Sequence, residues 1–122
     1  MGWLNRAINH PSGILTEYWV RALYLTRKSE PERKLLDNEF EPTFSMIVDD
    51  NTVAGCFGRC ILARYFAFIL DVDERWTQQK LLPFFSTTND ANYRAVWDGF
   101  LMGGQITPRV AKPIKKPSQT AR

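Results

Sequence analysis

The chain has 122 residues, of which 44% are hydrophobic and 13% aromatic, so it can form one domain with one core and is too apolar for a disordered protein. Its net charge of +3 depends on its last stretch, where five basic residues stand without an acidic one, and the rest is weakly acidic. That balance disfavours a broad nucleic-acid-binding surface. The two cysteines do not form a secreted disulfide framework, and no apolar run reaches the roughly 18 residues of a membrane span. We therefore expect a cytoplasmic protein with no membrane segment.

The first predicted helix follows Pro11, with Ser12 as its N-cap. Apolar residues then recur at helical spacing and predict one buried stripe. The stripe consists of Ile14, Leu15, Tyr18, Trp19, Ala22 and Leu23. The helix should end before Pro31, because proline disfavours helical backbone in the residue that precedes it.

Two further helices are predicted in the middle of the chain. A weaker helical stretch covers residues 37–48, and Pro42 is tolerated there because it lies in the first turn. The strongest helix covers residues 53–70 and follows several candidate caps at positions 49–52. Apolar residues occupy most sides of this helix, so we expect it to be central and buried.

The fourth predicted helix begins at a capping box, in which Asp71 accepts a backbone N–H and Glu74 reaches back. It carries Trp76, Leu81 and Leu82 inward and ends or kinks near Pro83. Thereafter Phe84 and Phe85 are expected to cover a neighbouring element.

The fifth predicted helix carries an apolar face and stops at Gly103-Gly104. Its apolar residues are Tyr93, Val96, Trp97, Phe100 and Leu101. A short sixth helix would begin at Thr107-Pro108, and residues 109–122 are predicted to be a disordered tail that is rich in proline and lysine. The basic residues of this tail are Arg109, Lys112, Lys115, Lys116 and Arg122.

These elements predict an all-α fold. About five antiparallel helices joined by short turns would form one domain over residues 1–108, either as a compact bundle or as a short array of helix pairs of the HEAT type. The sequence shows no strand pattern and no clean internal repeat, and it leaves the choice between bundle and array open.

The candidate reactive residues have simpler structural interpretations. Cys56 and Cys60 share a helix face but lack the further ligands of a zinc site, so we expect buried, reduced thiols. Gly55 and Gly58 should permit close helix packing, because their spacing fits no phosphate-binding loop. His10 has no nucleophile in a recognisable motif beside it and should be structural or exposed.

Two clusters also invite a functional interpretation. Asp71, Asp73 and Glu74 form the densest acidic group, but their place at a helix start is explained by capping and by the helix dipole. The run Arg64-Tyr65-Phe66-Ala67-Phe68 resembles a base-stacking platform, but it lies in an apolar helix and is better explained by core packing. We therefore predict no catalytic residue, no metal and no cofactor.

Several segments together resemble the helical C-terminal region of sirtuin-like bacterial proteins associated with antiphage defence. The resemblance covers roughly residues 5–108. Its motifs are Asn9-His10-Pro11-Ser12-Gly13 with Glu17-Tyr18-Trp19, Ala54-Gly55 with Gly58-Arg59, Asp73-Glu74-Arg75-Trp76-Thr77 with Leu81-Leu82-Pro83-Phe84-Phe85, and Trp97-Asp98-Gly99-Phe100-Leu101. It implies a helical region that senses a trigger or holds an assembly together, whereas NAD hydrolysis would belong to a sirtuin-like domain that this sequence does not contain. The basic tail departs from the family pattern, and we expect the chain to be a fragment or remnant of a longer protein.

The expected function is that of a non-catalytic scaffold or interaction module. Its partner would be a protein: the rest of a defence protein, a phage protein or a second copy of the chain. The alternative is a small nucleic-acid-binding protein that uses the tail at 109–122, which the acidic body disfavours. Such binding would weaken steeply with salt.

Overall fold

The computed structural model describes residues 2–30 and 36–103. These residues form α-helices, one π-helical turn and one 3₁₀ turn, and none of the described residues lies in a β-strand. The predicted all-α class is therefore confirmed. The predicted tail at 109–122, the sixth helix at Thr107-Pro108 and the domain boundary at 108 lie outside the described residues.

The chain begins with a short helix that the sequence analysis missed. α1 spans Trp3–Asn9 and α2 spans Pro11–Ser29. The predicted cap of α2 was wrong, because Nδ1 of His10 accepts the backbone N–H of Ser12 at 3.1 Å. The Ser12 hydroxyl instead donates to the carbonyl oxygen of Ala54 at 2.6 Å. His10 thus marks the boundary between α1 and α2.

The third helix is shorter than predicted. α3 spans Glu41–Asp49, and the residues before it form a hydrogen-bonded turn in which the N–H of Phe40 donates to Asp37. Pro42 lies in the first turn, as expected of a residue without an N–H.

The predicted single helix over 53–70 is two helices. α4 spans Val53–Arg64, α5 spans Phe66–Val72, and they meet at a bend of 77°. The break is at Tyr65, whose N–H is shared between the carbonyls of Ile61 and Leu62 and whose hydroxyl donates to a carboxylate oxygen of Glu17. This long-range contact fixes the residue at which the helix turns.

The fourth helix also begins later than predicted. Asp73, and not Asp71, is the cap: its Oδ1 accepts the N–H of Trp76 at 3.0 Å. α6 spans Glu74–Trp76 and continues as a π-helical turn over Thr77–Leu81 and a 3₁₀ turn over Leu82–Ser86. Pro83 interrupts the α-helical hydrogen bonds as predicted. α7 then spans Asp90–Gly103.

The core is arranged around α4, which contacts α1, α2, α3 and α7, most extensively α7. Nine of its residues are buried, which confirms the predicted central helix. The first and last described helices also touch: the N–H of Leu4 donates to a carboxylate oxygen of Asp98 at 2.8 Å. Because α1 and α7 meet across α4, the described part of the chain is a closed bundle and not an open row of helix pairs.

Close packing around α4 depends on glycine. A Cβ on Gly55 would lie 1.8 Å from the carbonyl oxygen of Asp50, and one on Gly58 would lie 2.6 Å from Cγ2 of Ile47. Neither distance is possible for a Cβ atom. The predicted role in close helix packing is confirmed for Gly58, which faces Ile47 of α3, whereas Gly55 packs against the connection between α3 and α4.

Candidate interaction surface

The two cysteine thiols lie inside the bundle. Cys56 and Cys60 are buried and free, as predicted, and Sγ of Cys56 is 2.8 Å from Oδ1 of Asn92. Burial raises the pKa of Cys60 to about 12, and the nearby carboxylate of Asp98 adds to the effect. A nucleophilic cysteine needs the opposite shift, so Cys60 is a packing residue.

The acidic residues near α6 do not converge on one point. Asp73 caps the helix, Glu74 accepts from the side-chain amide of Gln78 at 3.3 Å, and Asp71 pairs with Arg27 at 3.6 Å. The predicted capping role of the cluster is correct for Asp73, whereas the predicted capping box from Asp71 to Glu74 is wrong. Among residues 2–30 and 36–103, no group of three or more His, Cys, Asp or Glu side chains is placed to hold a metal ion.

The aromatic run at 64–68 packs as predicted. Phe66 is fully buried, and Tyr65, Ala67 and Phe68 pack against the same core cluster. Phe66 is therefore a core ring, and Tyr65 and Phe68 lie at the edge of the same cluster.

A cleft of about 310 Å³ lies where α1, α2 and the end of α4 meet. Glu17 lines this cleft, accepts from the hydroxyl of Tyr65 and has Arg21 and Arg64 at 3.6 and 3.9 Å. Burial, followed by the hydrogen bond to Glu17, raises the pKa of Tyr65. Glu17 thus links α2 to the end of α4 through Tyr65 and Arg64.

A second cleft, of about 440 Å³, lies between α1 and Phe57. The ring of His10 lies 4.5 Å from that of Phe57, and the guanidinium of Arg6 lies over the rings of Trp3 and Phe57 at 4.7 and 5.2 Å. These side chains are in contact with one another. The ring of His10 therefore holds α1 against α4, in the structural role predicted for it.

The unusual surface of the molecule is the outer face of α2. Leu15, Tyr18 and Leu25 are 56%, 63% and 62% exposed, and Ala22 between them is half-buried. These four residues, which we call the outer stripe, follow one another at intervals of three, four and three. That spacing keeps one apolar row on one side of a helix and is the spacing by which two helices pack together.

The outer stripe corrects the sequence prediction for α2. The stripe predicted to be inward contained Ile14, Leu15 and Tyr18, but the residues of α2 that are buried are Gly13, Thr16, Val20 and Leu23. Only Leu23 belongs to both sets, although Trp19 and Ala22 are partly buried and also pack against the core. α2 therefore carries exposed apolar residues opposite its buried side, and Ala22 lies where this exposed row meets the core.

Basic residues border the outer stripe on one side. Arg21 and Lys28 are seven residues apart and exposed, and we call these two residues the basic flank; Ile14, seven residues before Arg21, is exposed in the same row. On the other side Trp19 and Thr26, also seven apart, form an uncharged row that we call the neutral flank. The acidic residue of α2 is Glu17, whose side chain is only 23% exposed. The surface is thus an apolar row with positive charge along one edge.

No protein-family model, curated protein or solved structure matches this chain. None of the described helices has by itself the length and apolar composition of a membrane span; α4 and α5 meet that criterion only as a pair, across their bend.

Proposed function

We propose that this chain is a non-catalytic interaction module that docks a helix of another protein onto the outer face of α2. One observation carries the proposal: Leu15, Tyr18 and Leu25 of the outer stripe are exposed at helix-packing spacing, on the side of α2 opposite its buried residues. Single exposed apolar residues are common on protein surfaces, whereas a contiguous row of them marks an interaction site.

The roles of the reactive side chains support a non-catalytic function. Cys60 is buried under α7, His10 caps α2, Asp73 caps α6, and Glu17 is held by Tyr65 and the neighbouring arginines. Each of these groups stabilises the bundle. The buried free thiols agree with a reducing compartment such as the cytoplasm, which is where we propose that the protein acts.

The broader biological setting is proposed from the sequence motifs alone. If the chain derives from the helical region of a sirtuin-like defence protein, the outer stripe would be the surface on which a neighbouring helix of that assembly packs. The proposal of a docking face on α2 does not depend on this setting, because it follows from the exposure of the stripe.

The proposal is tested by photo-crosslinking in the cells from which the chain comes. A benzophenone amino acid replaces Tyr18 in the stripe or, as a control, the exposed Gln79 of the π-helical turn. We expect one discrete adduct from position 18, identified by mass spectrometry and lost when Leu15 and Leu25 are changed to Asp, and no such adduct from position 79. Equal adducts from both positions, or none from position 18, would refute the proposed docking face.

A further inference from the structure

We infer that the partner of the outer stripe is an acidic amphipathic helix, with an apolar row that packs on the stripe and Asp or Glu residues that face Arg21 and Lys28. This inference rests on the proposed function and specifies the chemistry of its partner. It comes from the uneven distribution of charge along the two edges of the stripe.

Helix pairs select their partners through the residues that border the apolar row. Leu15, Tyr18, Ala22 and Leu25 occupy the positions of such a row, and the basic flank and the neutral flank occupy its borders. Both charges on these borders are positive. From the described residues of α2 itself, a docked helix therefore meets positive charge on one side and no charge on the other.

Glu17 does not cancel this positive charge. Its carboxylate lies 3.6 Å from Nε of Arg21 and 3.9 Å from Nη1 of Arg64, and it also accepts from Tyr65. One negative charge serves two guanidinium groups, so the cluster keeps a net positive charge. The side chain of Arg21 is 76% exposed, and Lys28 is exposed two turns further along α2.

A second copy of the chain fits this surface poorly. In an antiparallel pair the basic flank would face its own copy, which places like charges together. In a parallel pair it would face Trp19 and Thr26, which offer no negative charge. The basic segment at 109–122 carries the same sign as the flank. An acidic helix avoids all three mismatches.

The test uses two labelled synthetic peptides of three heptads. Both have Leu in the apolar row; one has Glu and the other has Lys at every flanking position. Fluorescence anisotropy with the full chain should show the Glu peptide binding about 10-fold more tightly than the Lys peptide at low salt, because each of two exposed ion pairs changes affinity a few-fold. The difference should shrink at high salt.

The double variant Arg21→Glu/Lys28→Glu should reverse the preference between the peptides. Arg75→Glu/Arg94→Glu is the matched control, since it makes the same change in net charge at exposed residues outside α2 and should preserve the preference. Leu15→Ser should weaken both peptides alike, because it removes part of the shared apolar contact without adding charge.

Each other outcome overturns the inference. Equal affinities, a preference for the Lys peptide, or reversal by the control variant would show that the basic flank does not select the partner. Sedimentation that shows dimers abolished by Leu15→Asp would identify a second copy as the occupant. If neither peptide binds while position 18 still gives its crosslinked adduct, the docking face stands and its acidic partner does not; if both fail, the docking face is wrong as well.

Discussion

The buried guanidinium of Arg59 should be the most sensitive single group in the bundle. The side chain is 1% exposed, and its Nη1 donates to the carbonyl oxygens of Val48 at 2.8 Å and Asp50 at 2.6 Å. Nη2 donates to Oδ1 of Asn92 at 2.5 Å, and the guanidinium lies 4.5 Å from the ring centre of Phe84. One charged group therefore joins the end of α3, the middle of α4 and the start of α7.

Arg59→Met keeps most of the side-chain volume and removes all of these hydrogen bonds. Each buried acceptor that loses its partner costs about 1–3 kcal/mol, and water can reach two of the three acceptors, which are only partly buried. We therefore expect the free energy of unfolding to fall by about 3 kcal/mol. Arg59→Lys keeps a charge but not the two-pronged geometry, and it should lose about half as much.

Urea unfolding followed by far-ultraviolet circular dichroism measures the effect, with an unchanged dependence on urea indicating that the fold is kept. Arg94→Met is the matched control, because Arg94 is 68% exposed and pairs only with Asp90 one turn earlier; it should change stability by less than about 0.5 kcal/mol. A loss below about 1 kcal/mol for Arg59→Met would refute the reasoning, since it would mean that desolvation of the guanidinium offsets its hydrogen bonds.

Three further predictions concern the contacts around α4 and α6. Gly99→Ala should lower the free energy of unfolding by about 2 kcal/mol in urea titrations, despite the better helix propensity of alanine. The reason is that the new Cβ would lie 2.1 Å from the carbonyl oxygen of Cys60. An unchanged stability would contradict the close packing of α4 and α7. The pKa of the Cys60 thiol is 9.0 in the unfolded chain and about 12 in the fold. The free energy of unfolding should therefore fall by up to about 1.4 kcal/mol per pH unit above pH 9. A slope that Cys60→Ala leaves unchanged would exclude this thiol as its cause. Asp73→Ala should lower the free energy of unfolding by about 1–2 kcal/mol, measured by thermal or urea unfolding, because it removes the acceptor of the Trp76 N–H and of a 3.2 Å bond from the N–H of Leu36. Asp73→Asn should restore part of the loss, and equal stability of Asp73→Ala and the parent would contradict the cap.

The helical class and the central helix were predictable from sequence because apolar residues at helical spacing report burial directly. The buried side of α2 was not predictable in that way. Its inward contacts include Gly13, which has no side chain, and Thr16, whose hydroxyl bonds back to the carbonyl of Ser12 at 2.8 Å. Neither residue contributes to a hydrophobic pattern, so the pattern predicted that more exposed residues of α2 face inward.

The bend at Tyr65 was missed for a different reason. The residues around it contain neither proline nor a glycine break, so local propensity favours one continuous helix. The hydroxyl of Tyr65 bonds to Glu17, 48 residues earlier in the chain, and such a contact leaves no local signal. The candidate surface could not be predicted from the sequence, because it depends on which apolar residues of α2 remain exposed in the fold.

The central position of α4 determines which parts of the bundle can open without the rest. Because α4 contacts α1, α2, α3 and α7, the amide hydrogens of its buried residues 55–63 can reach solvent only when the surrounding helices separate together. Hydrogen exchange in α4 should therefore report the free energy of global unfolding, while amides at the start of α1 and the end of α7 exchange through smaller openings. A helix docked on the outer stripe would slow hydrogen exchange in α2. Little of the binding free energy would be spent on ordering α2, because the bundle already holds that helix in place.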